Sequence, residues 1–217
     1  MNIYKINIPK SIIPLTILAV VFNILRIIIW GKYSFAYILW NVFLAFIPFI
    51  ISSILLSLSK ENKLSKTIFF IGFFLWIIFI PNAPYVVTDF IHLGVSRSVP
   101  ILYDVMLLFS SASVALILGF HSLYHIEQIF RAKYSARKTS ILIVIITLLI
   151  SFGMYLGRFL RFNSWDIFVN HISLIKNIWK IISQSTGHLD VYFYTGLFFF
   201  FLYLSYTAWK YSNINKK

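Results

Sequence analysis

Cysteine is absent from the 217 residues, and acidic residues are scarce, with six Asp and Glu against nineteen Lys and Arg. The lack of cysteine excludes disulfides, thiolate metal sites and cysteine nucleophiles. Glycine is also scarce, and its eight residues form no nucleotide-binding loop and no GxSxG nucleophile elbow. The sequence therefore argues against ATP-driven chemistry within this chain.

What the chain does contain is apolar. Its composition is 60% hydrophobic and 19% aromatic but only 12% charged, which lies outside the range of soluble globular domains. The net charge of +13 does not indicate nucleic acid as a partner, because the cations fall between long apolar blocks. The composition predicts a polytopic membrane protein.

Six apolar blocks approach the length of about 20 residues that a membrane-spanning helix needs. They cover residues 12–30, 35–58, 67–84, 101–124, 141–160 and 191–209. The unbroken apolar run of the third block ends at Ile80, so we expect this span to be short, tilted or continued by the next residues. The prediction is an all-α bundle of about six transmembrane helices in a single integral membrane domain, residues 1–217, with two short interfacial helices on the outer side.

Lys and Arg are unevenly distributed between the connections. If the N-terminus is inside, the cytoplasmic connections carry more of these residues than the outer ones, as the positive-inside rule requires. The pattern predicts a multi-pass protein of the cell membrane with both termini in the cytoplasm. Its expected partners are the lipid bilayer and, at the cytoplasmic basic loops, anionic lipid headgroups, whereas the oligomeric state is left open.

A second kind of periodicity occupies the connection between the fifth and sixth blocks. Phe168, Ile172, Ile175, Trp179 and Ile182 recur at steps of four and three. Leu174, Ile178 and Ile181 widen this apolar face, and Lys176 and Lys180 fall opposite the face as a whole. This separation predicts a helix that lies in the membrane interface with its lysines toward headgroups. A soluble helix packed on a small extracytoplasmic cap is the alternative.

The stretch PNAPYVVTDFIHL, residues 81–93, interrupts the apolar sequence. At 100° per residue, Tyr85, Thr88, Asp89 and His92 form one polar stripe of a short helix. We expect the stripe to face protein or water at or just beneath the outer surface, because a charge facing hydrocarbon at the bilayer centre costs roughly 2.5 to 3.5 kcal/mol.

Other polar residues are predicted to reach the same membrane face. Asp104 lies in the first turn of the fourth span, where the helix N-terminus favours a carboxylate. Arg158 and Arg161 lie one turn apart at the end of the fifth span. Asn163 and Asp166 follow and resemble a capping pair at the start of the interfacial helix.

Three stretches carry a resemblance to a known family. PNAPYVVTDFIHL, YDVMLLFS followed by LGFHSLY, and GMYLGRFLRFNSWDI are similar to the signature blocks of a bacterial membrane-protein family catalogued only as domain of unknown function 1361. The likeness extends from about residue 70 to residue 210. It implies a multi-span membrane protein of about this length, and it implies no reaction, substrate or catalytic residue.

The polar cluster permits three interpretations. Asp89 and one of the arginines could form a structural ion pair within the bundle. Alternatively, the arginines could clamp a phosphate or carboxylate while His92 carries a proton. Third, a divalent metal could be held by Asp89, His92, Asp104 or Asp166, but their spacing is not typical of a metal site, so no metal ligand and no cofactor is assigned.

The first functional hypothesis is an outer-face enzyme acting on an anionic or lipid-linked substrate. Its catalytic residues would be Asp89 and His92. Its substrate-binding residues would be Arg158, Arg161, Tyr85, Asp104, Asn163 and Asp166. The alternatives are a small transporter, in which buried charges line a path, and a non-catalytic assembly or sensing protein whose charged cluster is structural.

Overall fold

Helices make up almost the whole chain. The computed structural model describes residues 9–10, 12–94, 98–183 and 189–214, so both chain ends, which are predicted to be cytoplasmic, lie outside it. Within those residues there is no strand. The α-helices are α1 Ile12–Trp30, α2 Tyr37–Lys60, α3 Lys66–Phe79, α4 Asn82–Tyr85, α5 Ile101–Arg131, α6 Ala136–Phe159, α7 Asp166–Val169, α8 His171–Ser183 and α9 Leu189–Ile214, and a 3₁₀ helix, Val86–His92, follows α4 directly.

Six segments of the described chain are long and apolar enough to cross a membrane, which confirms the predicted all-α architecture. The first has the predicted bounds, Ile12–Trp30. The third runs from Lys66 to His92 through α3, α4 and the 3₁₀ helix, so the short apolar run is continued by the residues after it. The fourth extends beyond its predicted end at residue 124 to Arg131.

The contacts divide the chain into two compact units, unit 1 at residues 1–133 and unit 2 at residues 134–217. The single domain expected from the sequence stays a prediction.

Unit 1 is built around α5, which packs against α1, α2, α4 and the 3₁₀ helix. Small residues on α5, among them Ala112, Ala115 and Gly119, let its neighbours approach closely. A Cβ added at Gly119 would lie only 3.0 Å from the Cβ of Ala83 in α4. The backbone that leads into the 3₁₀ helix is therefore in close contact with α5.

A chain of hydrogen bonds joins three helices inside unit 1. The indole N–H of Trp76 in α3 donates to the hydroxyl of Ser122 in α5 at 2.7 Å, and that hydroxyl donates to the carbonyl of Pro48 in α2 at 2.9 Å. Trp76 and Ser122 are completely buried. Since lipid offers no partner for buried polar groups, these bonds fix the relative positions of α2, α3 and α5.

In unit 2, α6 packs against α9, and the hydroxyl of Tyr155 in α6 donates to the carboxylate of Asp190 in α9 at 2.7 Å. Ile181 of α8 is buried in a small cluster with Tyr155 and Val191. This contact attaches α8 to the end of α6 and the beginning of α9.

Candidate functional site

One end of unit 1 contains three buried charged side chains, those of Arg26, Asp89 and Asp104. Here α1 ends at Trp30, α2 begins at Tyr37, the 3₁₀ helix ends at His92 and α5 begins at Ile101. We call it the α1–α2 end.

The stretch after Tyr85 forms a 3₁₀ helix, whereas the predicted polar stripe assumed the 100° per residue of an α-helix. In a 3₁₀ helix with three residues per turn, side chains at i and i+3 lie one above the other. The predicted single stripe is therefore corrected to two rows, Val86, Asp89 and His92 on one side and Tyr85, Thr88 and Ile91 on another. The first row begins with two residues that are almost fully buried, at 0% and 1% exposure, and the second ends at Ile91, which is 71% exposed.

Local sequence accounts for this winding. Val86, Val87 and Thr88 are β-branched in succession, which lowers the preference for an α-helix. The hydroxyl of Thr88 also donates to the carbonyl of Tyr85, three residues earlier, at 2.6 Å. Short 3₁₀ segments are frequent at the ends of α-helices, as here after α4.

The buried row faces the first turn of α2. The side-chain amide of Asn41 donates to the carboxylate of Asp89 at 3.1 Å. The rings of Tyr37 and His92 are perpendicular, with their centroids 6.2 Å apart. We refer to Tyr37, Asn41, Asp89 and His92 as the two-rung site.

The register of the two rungs follows from helix geometry. Four residues of an α-helix rise by about 6 Å, at 1.5 Å each, and three residues of a 3₁₀ helix rise by about 6 Å, at 2.0 Å each. The step from Tyr37 to Asn41 therefore matches the step from His92 to Asp89. An α-helix would rise only about 4.5 Å over the same three residues and rotate them apart by about 60°.

The two rungs differ in depth. Tyr37 and His92 are partly accessible, whereas Asp89 is 1% exposed. Asp89 lies beside Asn41, which is one turn further along α2 than Tyr37. Removing a carboxylate from water costs several kcal/mol unless hydrogen bonds and neighbouring charges compensate. An ionisable residue inside a membrane span is therefore a functional-site hypothesis in its own right.

A second buried group at the α1–α2 end is the ion pair between Arg26 and Asp104. The Nε of Arg26 lies 2.8 Å from one carboxylate oxygen and its Nη2 lies 3.2 Å from the other. The Nη1 donates to the Ser34 hydroxyl at 2.9 Å and to the Lys32 carbonyl at 3.2 Å. Both members of the pair are 1% exposed, and the guanidinium lies 4.4 Å from the centre of the Phe35 ring.

Sequence reasoning did not find this pairing. It placed Asp104 among the substrate-binding residues, but both carboxylate oxygens accept from Arg26. The available signal was an arginine inside an apolar span, which requires a buried partner. A role for Asp104 in substrate binding stays a prediction.

In unit 2, Arg158 lies in the last turn of α6, which ends at Phe159. Arg161 has a left-handed backbone with φ of 57°, and the N–H of Phe162 donates to the carbonyl of Leu156 at 3.1 Å. Arg161 directly follows the C-cap Leu160, and a left-handed residue at this position commonly ends a helix. The prediction that Arg158 and Arg161 stand one turn apart on a helix is thus corrected, because α6 ends between them.

Asp166 makes the contact back to Asn163 that a capping pair requires, but α7 begins at Asp166 and its N-cap is Trp165 rather than Asn163. The backbone N–H of Asn163 donates to the carboxylate of Asp166 at 2.6 Å, and the N–H of Asp166 donates to the carbonyl of Asn163 at 3.0 Å. The carboxylate thereby reaches back across the turn that precedes α7. This geometry gives Asp166 a local structural role.

The predicted site residues are distributed over both units. Unit 1 contains Tyr85, Asp89, His92 and Asp104, and unit 2 contains Arg158, Arg161, Asn163 and Asp166. A joint site formed by all eight stays a prediction. In the part of the chain that the structure describes, no three His, Asp or Glu side chains lie close enough to hold a metal ion together.

Comparison with known sequences places the chain. A family described as "Protein of unknown function (DUF1361)" matches residues 40–205, which is more than half of its length. The chain belongs to the DUF1361 family. Asn41, Asp89 and His92 lie within the stretch that matches DUF1361, whereas Tyr37 and Arg26 precede it. No curated protein and no solved structure matches this DUF1361 chain.

Proposed function

We propose that this DUF1361 protein is an enzyme at the outer face of the cell membrane that acts on an anionic, lipid-linked substrate. In this proposal Asp89 and His92 move a proton during the reaction. The observation that carries it is the two-rung site, in which a buried carboxylate and a partly accessible imidazole share one row of the 3₁₀ helix.

General acid–base catalysis needs a proton-transferring group whose position is fixed. Asn41 fixes the Asp89 carboxylate with a 3.1 Å hydrogen bond, and the Tyr37 ring borders the His92 ring. His92, on the outer rung, is partly accessible, and Asp89 is buried one turn away in the same row. The two side chains therefore provide a short path from the membrane surface to a buried carboxylate.

The surroundings of the site support a substrate that arrives from the bilayer. Large apolar side chains near the two rungs are exposed, with Ile91 at 71% and Trp40 and Phe43 at 53% each. Such side chains favour contact with acyl or prenyl chains. Binding of the anionic head by Arg158 and Arg161 is the part of the proposal that comes from the sequence alone.

A transporter would need polar groups that line a path through the spans. Several buried hydroxyls in the spans bond instead to carbonyls of their own helices. This holds for Ser110, Ser111, Thr147 and Ser151, with distances of 2.8 to 2.9 Å. These contacts favour an enzyme over a carrier.

The test uses purified protein in nanodiscs of phosphatidylethanolamine and phosphatidylglycerol. Phosphatidylglycerol, phosphatidic acid and a polyprenyl diphosphate serve as probes, and mass spectrometry follows the loss of each parent lipid. Asp89→Asn is the test variant. Glu127→Gln is the matched control, because Glu127 is also a buried acid of unit 1 but pairs with Arg131 near the far end of α5.

We expect the wild type to consume one probe and Asp89→Asn to be slower by about 10² to 10⁴-fold, the usual contribution of a general acid or base. Glu127→Gln should stay within a few-fold of the wild type. The proposal is wrong if a folded Asp89→Asn protein keeps the wild-type rate. It is equally wrong if the wild type consumes none of the three lipids, which would favour a non-catalytic role for the cluster.

A further inference from the structure

The helix α8, His171–Ser183, carries an apolar surface that no other part of the described chain covers. Ile172, Ile175 and Trp179 are 61%, 62% and 69% exposed. Single exposed apolar residues are common, but three large ones on a single helix mark an interaction surface. This surface is independent of the two-rung site.

The side chains of α8 divide into three sectors around the helix axis. At about 100° per residue, Ile175, Trp179 and Ile172 lie within about 60° of each other, and Lys176 and Lys180 lie next to them at about 100° and 140°. Leu174, Ile178 and Ile181 occupy the other flank, at about −60° to −120°. The first two sectors are exposed, and the third is partly or fully buried.

The buried flank fixes where α8 lies within unit 2. Ile181 contacts Tyr155, near the end of α6, and Val191, in the first turn of α9. Both α6 and α9 are long and apolar enough to span a membrane. The helix is therefore attached at the ends of two spans, which is the level at which the hydrocarbon of a bilayer meets its headgroups.

We propose that α8 lies flat in this interface, with Ile172, Ile175 and Trp179 in the acyl region and Lys176 and Lys180 at anionic lipid headgroups. The three sectors fit this position. The flank of Leu174, Ile178 and Ile181 packs on the protein, the sector of Ile172, Ile175 and Trp179 enters lipid, and the lysine sector meets phosphate. Tryptophan is enriched at membrane interfaces, and lysine beside an apolar face is typical of helices that bind anionic membranes. A helix covered by a soluble partner would have no need for a separate cationic sector beside its apolar one.

The absence of cysteine from the sequence allows a direct test. Ile175→Cys and Lys176→Cys each introduce the only thiol, at neighbouring exposed positions on different sectors. Each variant is spin-labelled and reconstituted into vesicles of phosphatidylethanolamine and phosphatidylglycerol, or of phosphatidylcholine alone. Electron paramagnetic resonance then compares collisions with oxygen, which concentrates in lipid, and with a water-soluble nickel chelate.

We expect the label at residue 175 to collide mainly with oxygen and the label at residue 176 mainly with nickel. Equal behaviour at both positions overturns the proposal, as does a label at 175 that is shielded from both reagents, since shielding would mean that a protein covers this surface. The label in Ile175→Cys should insert more deeply into vesicles that contain phosphatidylglycerol than into vesicles of phosphatidylcholine alone. Adding Lys176→Gln and Lys180→Gln should abolish this difference. If the label lies equally deep with and without phosphatidylglycerol while both lysines are retained, the assignment to anionic lipid is wrong.

Discussion

Breaking the Arg26–Asp104 pair should destabilise unit 1 far more than breaking an exposed pair of the same length. In Asp104→Asn the guanidinium keeps its bonds to Ser34 and the Lys32 carbonyl but loses its counter-charge, and both partners are 1% exposed. Removing one partner of a buried pair leaves an uncompensated charge and costs about 3 to 5 kcal/mol. Arg26→Met should cost a similar amount, because it leaves the buried Asp104 carboxylate without its counter-charge.

The double variant should cost less than the two single changes together. Replacing both residues removes both charges and leaves the Ser34 hydroxyl and the Lys32 carbonyl without their guanidinium donor, a loss of about 1 to 3 kcal/mol. The single changes together would amount to about 6 to 10 kcal/mol if they were independent. The expected coupling energy is therefore at least about 3 kcal/mol.

The assay is equilibrium unfolding in mixed micelles with increasing dodecyl sulfate, followed by circular dichroism. Glu61→Gln is the control, because Glu61 and Lys63 also lie 2.8 Å apart but are 43% and 68% exposed. That change should shift the free energy of unfolding by less than about 1 kcal/mol. The reasoning is refuted if Asp104→Asn stays within about 1 kcal/mol of the wild type, or if the double variant equals the sum of the singles.

Two further changes test the packing around α5. Ser122→Ala leaves the indole N–H of Trp76 without its 2.7 Å acceptor and should lower the free energy of unfolding by about 1 to 3 kcal/mol in the same assay; an unchanged value would show that this bond does not hold the helices. Gly119→Ala should destabilise by about 1 to 3 kcal/mol, since its Cβ meets that of Ala83 at 3.0 Å. Gly196→Ala, which has nothing within 4 Å of the new Cβ, should cause no loss, and equal effects at both glycines would contradict the packing argument.

The spans could be predicted from the sequence because lipid imposes one requirement on every helix, an apolar run of sufficient length. The first span has its predicted bounds for this reason. The fourth span was predicted to end at residue 124, which is too short, because His125, Glu127 and Arg131 interrupt the apolar sequence after that point. In the structure α5 continues, with Glu127 buried and paired with Arg131 one turn later.

The candidate site was predicted only in part. Asp89 and His92 could be singled out because an acid and a histidine are conspicuous in an apolar chain. Their arrangement could not, because α and 3₁₀ windings differ by only about 20° per residue and short segments around proline do not decide between them. Asn41 and Arg26 were missed as partners because they lie 48 and 78 residues from Asp89 and Asp104, beyond the reach of any local pattern.

The central claim is that Asp89 and His92 act as one unit, and a kinetic double-mutant cycle tests it most directly. The rates of lipid turnover are measured in nanodiscs for Asp89→Asn, His92→Gln and the combined variant. Residues that act together in one proton transfer give losses that do not multiply. The account predicts that the combined variant is no slower than the slower single variant. Losses that multiply, or a wild-type rate in both single variants, would contradict it.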